Sequence, residues 1–208
     1  MAVILLTGFE PFDGAARNPS ADAVNAVAAG YDGPHDLVVA TLPVAFEGSA
    51  RRLRALIAQH SPDAVIATGL AGGSPRVAVE RVGVNLMDAR IPDNDGAQPV
   101  DVPSETDGPA ARFATLPVKR IVQVLTAHAI PAQLSLSAGS YVCNHVLYTA
   151  LGAVEPGIPA GFVHLPWSSG TAPSGTPHLA EEELARAVRL AVDHALDAEA
   201  REPGGSIW

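Results

Sequence analysis

The chain has 208 residues, 48% hydrophobic and 17% charged, which excludes a disordered polymer and fits one sizeable α/β domain with a large core. Lys and Arg number 13 against 22 Asp and Glu, a net charge of −9. That balance argues against nucleic acid as a partner, because such binding needs a basic face to displace counterions.

The remaining composition narrows the class. Cys143 is the single cysteine, so there is no intramolecular disulfide framework and no thiolate zinc cluster. No stretch approaches the roughly 20 apolar residues of a membrane span, and no basic amphipathic helix suggests a membrane surface. The apolar run near Met1 lacks a positive flank and is too short for a signal peptide. The expectation is a soluble cytoplasmic protein of one domain, 1–208.

In chain order, Val3 to Thr7 is a branched apolar run that predicts a buried strand. Asn18 and Pro19 form an N-cap and N1 pair opening a helix that stops near Gly30. Leu37 to Leu42 predicts a strand, and Glu47 to Gln59 a helix with Leu53, Leu56 and Ile57 on one stripe. Ala64 to Thr68 predicts a third buried strand running into Gly69, Gly72 and Gly73. Arg76 to Leu86 predicts one or two strands, and Pro117 to His128 a helix. Leu134 and Leu136 mark a strand, Val142 to Leu151 a helix, and Gly161 to Leu165 the last short strand. Thr176 and Pro177 open a last helix that runs to about Ala200, with Glu181 to Glu183 near its positive end. Residues 201–208 read as a loose tail. The strand–helix alternation predicts a mostly parallel sheet with helices on both faces. Asp88 to Pro109 and Pro166 to Thr176 have no apolar period and read either as binding loops or as poorly ordered excursions.

Five features could carry chemistry. Cys143 stands where a helix begins, and a helix N-terminus favours the reactive thiolate; the alternative is an inert buried cysteine. Among the histidines, His145 lies two residues on and faces another side. His164 sits at the C-terminal end of a strand, where open α/β sheets build ligand sites; the alternative, which burial statistics favour, is a satisfied core histidine. Glu80 shares parity with Val82, Val84 and Leu86 and would face an apolar side unless a bulge at Arg81 turns it out. Buried, it needs a partner, and a histidine or Arg81 or Arg90 would serve. Gly69 to Gly73 lacks the Lys-Ser/Thr of a phosphate loop. The acids Asp88, Asp93, Asp95, Asp101 and Asp107 match no calcium spacing and read as solvated.

Together these segments resemble the pyroglutamyl-peptidase I family. Gly8-Phe-Glu-Pro-Phe-Asp-Gly14 with Asn18-Pro-Ser20 is similar to its opening motif. Gly69 to Gly73, Glu80 and Asn85-Leu-Met-Asp-Ala-Arg-Ile-Pro-Asp-Asn94 resemble its middle signature. Ser137-Ala-Gly-Ser-Tyr-Val-Cys-Asn144 and Gly161-Phe-Val-His164 complete the set.

The resemblance implies a three-layer α/β/α sandwich around a mixed sheet. It implies a cysteine peptidase that removes N-terminal pyroglutamate from peptides without a metal or organic cofactor, as a homo-oligomer, typically a tetramer. It makes Cys143 the nucleophile, His164 the general base and acid, and Glu80 the orienter of the imidazole. Arg90 and the Cys143 backbone N–H would form the oxyanion hole. Phe9, Phe12 and Val142 would wall the lactam slot together with position 70, where Leu70 stands in place of the usual Gln.

Overall fold

The computed structural model describes residues 1–204. Its elements run β1(Val3–Phe9), α1(Pro19–Gly30), β2(Asp36–Leu42), α2(Phe46–His60), β3(Ala64–Leu70), β4(Val77–Glu80), β5(Val82–Val84), β6(Ala111–Phe113), α3(Val118–Ala127), β7(Ala132–Ser135), α4(Val142–Ala153), β8(Ala160–Leu165), β9(Trp167–Ser168), β10(His178–Leu179) and α5(Glu181–Asp193).

Six strands form one sheet in the order β2-β1-β3-β8-β4-β7. β2, β1, β3 and β8 run parallel. β4 is antiparallel to β8 and parallel to β7. The sheet is therefore mixed but mostly parallel, and its direction reverses at the β8/β4 seam.

Alternation along the strands builds the layers, because successive side chains point to opposite faces. Ile4, Leu6, Ile66, Val163 and Leu165 face one way, onto Val24, Ile121, Leu125, Leu184 and Val188 of α1, α3 and α5. Leu5, Val65, Ala67 and Phe162 face the other way, onto Leu53, Leu56, Val146 and Leu147 of α2 and α4. The result is the three-layer α/β/α sandwich that the resemblance implied.

Helix starts are fixed by carboxylates and amides, some of them far away in sequence. Asn18 caps α1 as its sequence predicts, accepting from the Ser20 N–H at 3.0 Å. Ala45, which precedes α2, has no side-chain cap to offer. Asp93 takes that place, accepting from the Phe46 N–H at 2.8 Å while its other oxygen accepts from the Asp95 and Ala97 amides. Pro117 before α3 is equally unable to cap, and Glu199 accepts from the Lys119 and Arg120 amides at 3.1 Å each. Each such cap is worth about 1 kcal/mol.

Several expectations are corrected. The last helix begins at Glu181, not Thr176, because His178 and Leu179 pair with Trp167 and Ser168 as a short parallel strand. Its start is held by Glu183, which accepts from the Ala180 N–H at 3.0 Å. The helix ends at Asp193, well before Ala200. Gly161 to Leu165 is thus not the last strand, β6 is an additional one, and Leu136 lies outside β7 and is exposed. Asp93 is buried rather than solvated, since three amides replace its water. Around it the segment after Asp88 is tied down: the Asn85 amide bonds the Glu105 and Gly108 carbonyls, and Met87 bridges Val102. In the expected loose tail, the Glu202 carbonyl accepts from Lys119 Nζ at 3.1 Å. Residues 205–208 lie outside the described residues. Among the described residues, no helix is long and apolar enough to cross a membrane.

The approach of α1 to the sheet depends on Gly8. A Cβ there would sit 2.8 Å from the Ser20 carbonyl group and the Ala21 nitrogen, all backbone atoms that cannot swing away. Gly8→Ala is expected to destabilise the fold by about 1–3 kcal/mol, the usual scale of overpacking. Urea unfolding measures it, and a midpoint equal to the parent's would contradict this packing.

Candidate active site

The site grows from the β8/β4 seam. His164 on β8 is paired with Ala78 on β4. Glu80 lies two residues beyond Ala78 and so presents its side chain to the same face, as a diagonal neighbour of His164. The two meet with His164 Nδ1 2.8 Å from Glu80 Oε1. They are 7% and 1% exposed. The strand breaks at Arg81, separating β4 from β5. This break does not turn Glu80 to water. Val77 and Val79 take the α1/α3/α5 core, and Glu80 is left on the α2/α4 face. Arg81 pairs with Glu199 instead, at 3.5 Å. With Nδ1 engaged by the carboxylate, the ring's Nε2 is the nitrogen left for a reacting group.

Cys143 is delivered to that ring from above. It is the second residue of α4, half-buried, and its sulfur lies over β3 at Gly69, the residue paired with His164. Gly69 has no side chain to obstruct it. A Cβ there would stand 2.9 Å from Cys143 Sγ and 2.7 Å from the Phe162 ring. Glycine is required here by close approach rather than by backbone conformation.

The start of α4 is pinned by its neighbours. Asn144 is buried; its Oδ1 accepts from the Val84 N–H at 2.9 Å, and its Nδ2 donates to the Val84 and Leu86 carbonyls. Ser140 Oγ donates to the Asp88 carbonyl at 2.7 Å, and Tyr141 Oη to that of Pro92 at 3.1 Å. Yet among the described residues no side chain caps the helix: Tyr141 at the N-cap provides none. The first intrahelical bond is donated by the His145 N–H to the Tyr141 carbonyl. The amides of Val142, Cys143 and Asn144 precede that bond and are free to face a ligand.

The electrostatics follow from this arrangement. Burial alone would push the His164 pKa down, but Cys143 and then Glu80 outweigh it and raise it to about 10. His145 is moved the other way, to about 4, by burial and by Arg54. Its ring packs 5.9 Å from that of Phe46, away from the thiol, so it is a neutral core histidine. Burial raises Tyr141 to about 12, which keeps its hydroxyl a donor at neutral pH.

Cys143, His164 and Glu80 line a cavity of about 380 Å³. Phe9, Phe12, Leu70 and Val142 line it too. Phe9 is also core, its ring centroid 6.4 Å from that of Phe162. Arg90 is not among these lining residues. It is exposed and absent from the cavity wall, and its carbonyl is held by the Gln98 amide at 3.1 Å. Val44, Tyr141 and Gln133 complete parts of the wall that the sequence did not single out. Among the described residues, no group of three or more His, Cys, Asp or Glu is placed to hold a metal ion.

The family model described as pyroglutamyl peptidase matches residues 2–198. The chain is 47% identical to the pyrrolidone-carboxylate peptidase of Clavibacter michiganensis, covering 92% of each. It is 46% identical to that of Streptomyces coelicolor, covering 98% of this chain and 94% of the relative. Among solved structures, pyroglutamyl peptidase I from Bacillus amyloliquefaciens superposes with a TM-score of 0.92 at 38% identity, covering 98% and 99% of the two chains. By sequence and by fold, the chain belongs to the pyroglutamyl peptidase family.

Proposed function

We propose that this chain is a cysteine peptidase that removes pyroglutamate from the N-terminus of peptides, with Cys143 as nucleophile, His164 as general acid and base, and Glu80 as the residue that orients the imidazole. The observation that supports these roles most strongly is the buried 2.8 Å Glu80–His164 contact beside a cysteine on an uncapped helix end.

The chemistry runs as two acyl transfers. The Cys143 thiolate attacks the pyroglutamyl carbonyl carbon, and negative charge moves to its oxygen. The free amides of the first turn of α4, that of Cys143 among them, lie where they can donate to this oxyanion. The C–N bond then breaks, and His164 hands its proton to the departing amine. Water enters, gives a proton to His164 and attacks the thioester, and the sulfur leaves as thiolate. Glu80 holds Nδ1 throughout, which fixes the tautomer and faces Nε2 toward the reaction.

The slot supports the substrate assignment. A pyroglutamyl ring is a compact, uncharged lactam, suited to a small cavity with apolar walls and a few backbone hydrogen bonds. Leu70 offers no side-chain polar group, so on this wall the lactam must find backbone partners. We further propose a single catalytic domain working in the cytoplasm as a homo-oligomer, a tetramer on the family resemblance. Support for assembly is the apolar surface left exposed at Val100, Phe113 and Leu136.

Two measurements test this reading. Cys143→Ala is expected to lower hydrolysis of pyroglutamyl-aminomethylcoumarin by at least about a thousandfold, the scale of losing a nucleophile; turnover at the parent's rate would remove Cys143 from the mechanism. A peptide beginning with uncyclised Gln carries an ammonium whose unpaired burial costs several kcal/mol. Its kcat/KM is expected to lie at least about 100-fold below that of the pyroglutamyl form. Comparable values for the two peptides would overturn the account of the slot.

A further inference from the structure

The cavity has a second arm on the far side of His164. The strand order places β1 and β2 to one side of the β3/β8 centre and β4 and β7 to the other. Phe9 ends β1, and Phe12 follows it, so the apolar walls lie on the β1 side. Across His164 the floor continues along one row, because His164 is in register with Ala78 and Ala78 with Gln133. Glu80 and Ser135 form the next row. Ala78, Gln133 and Ser135 all line the cavity.

The two arms differ in chemistry. Beyond Glu80, the second one is floored by a methyl group at Ala78, a hydroxyl and an amide. The Ser135 hydroxyl is already engaged with the Ser137 backbone at 3.3 Å. Among the described residues the Gln133 amide has no hydrogen-bond partner, and the side chain is exposed at the sheet edge. An amide with two donors and an acceptor, facing a cavity and unbonded among the described residues, is equipped to contact a polar ligand.

The proposed reaction decides what enters this arm. The acyl group occupies the slot of Phe9 and Phe12, and the leaving nitrogen must lie against His164 to receive its proton. The peptide that follows this nitrogen therefore runs over β4 toward β7. Neighbouring strands are about 4.8 Å apart, so β7 is roughly 10 Å from β8. That is the span of about three residues of extended chain. Resting on the function proposed above, we infer that Gln133 is a specificity-determining residue that contacts the first residues after the pyroglutamyl group.

Charge substitution tests this directly. The ratio of kcat/KM for pyroglutamyl-Lys-Lys to that for pyroglutamyl-Glu-Glu is measured in the parent, Gln133→Glu and Gln133→Lys, by release of pyroglutamate. Gln133→Glu is expected to raise the ratio about threefold or more and Gln133→Lys to lower it similarly, the scale of a partly exposed charge pair. Both shifts should shrink in 1 M salt, where screening acts within about 3 Å. Gln133 is exposed on an edge strand, so neither change touches the core. Ratios unmoved in both variants of an active enzyme would overturn the role of Gln133 alone. A parent that releases pyroglutamate from neither peptide would overturn the proposed function and this inference with it.

Discussion

A carboxylate buried in a protein interior must be paired, and in this chain the pairing of Glu80 with His164 organises everything around it. The contact exists because β4 runs against β8. In that arrangement Ala78 stands opposite His164, and the side chain two residues on reaches it diagonally. Removing one partner of such a buried pair generally costs about 3–5 kcal/mol. The same bond that stabilises the seam therefore also fixes the imidazole's orientation. Fold and chemistry share one interaction here, since the ring cannot rotate away from Cys143 without leaving the carboxylate unpaired.

The second constraint is how helix ends are treated. α1 is capped by its own Asn18, α2 by Asp93 from a distant loop and α3 by Glu199 from beyond the last helix. The Ala180 N–H at the start of α5 is bonded by Glu183. α4 differs. Asn144, Ser140 and Tyr141 hold it firmly in place through backbone carbonyls and an amide of neighbouring segments, and among the described residues no side chain caps its first turn. The positive end of the helix is thus both immobilised and open, which is the condition for preorganised stabilisation of developing negative charge. Gly69 completes the arrangement by letting the sulfur approach the sheet.

Much of this was legible in the sequence where local physics decides the outcome. Buried parallel strands announced themselves as apolar runs, and Asn18-Pro19 as a helix start. The parity of Glu80 pointed to an inward carboxylate in need of a partner. What local reading could not supply were the long-range terms. Thr176-Pro177 has the signature of a helix start, but pairing of His178 and Leu179 with the strand after His164 overrides it. Asp93 looks like one more solvated acid until the loop folds back and places it under α2. Arg90 follows from resemblance alone, and the cavity wall does not contain it. Gln133 gave no signal at all, because an edge-strand glutamine acquires meaning only when the strand order sets it across His164 from the phenylalanines.

The central claim is that Cys143 and Glu80 act together on His164. Imidazole NMR titration tests it most directly, followed in the parent, Cys143→Ala and Glu80→Gln. The account predicts a parent ring that stays protonated through neutral pH and titrates near 10. Removing the sulfur's charge and hydrogen bond, in Cys143→Ala, should bring the titration down, and Glu80→Gln should also lower it. A parent His164 that titrates near 6.5, the ordinary value, and is unmoved by either substitution would contradict the account.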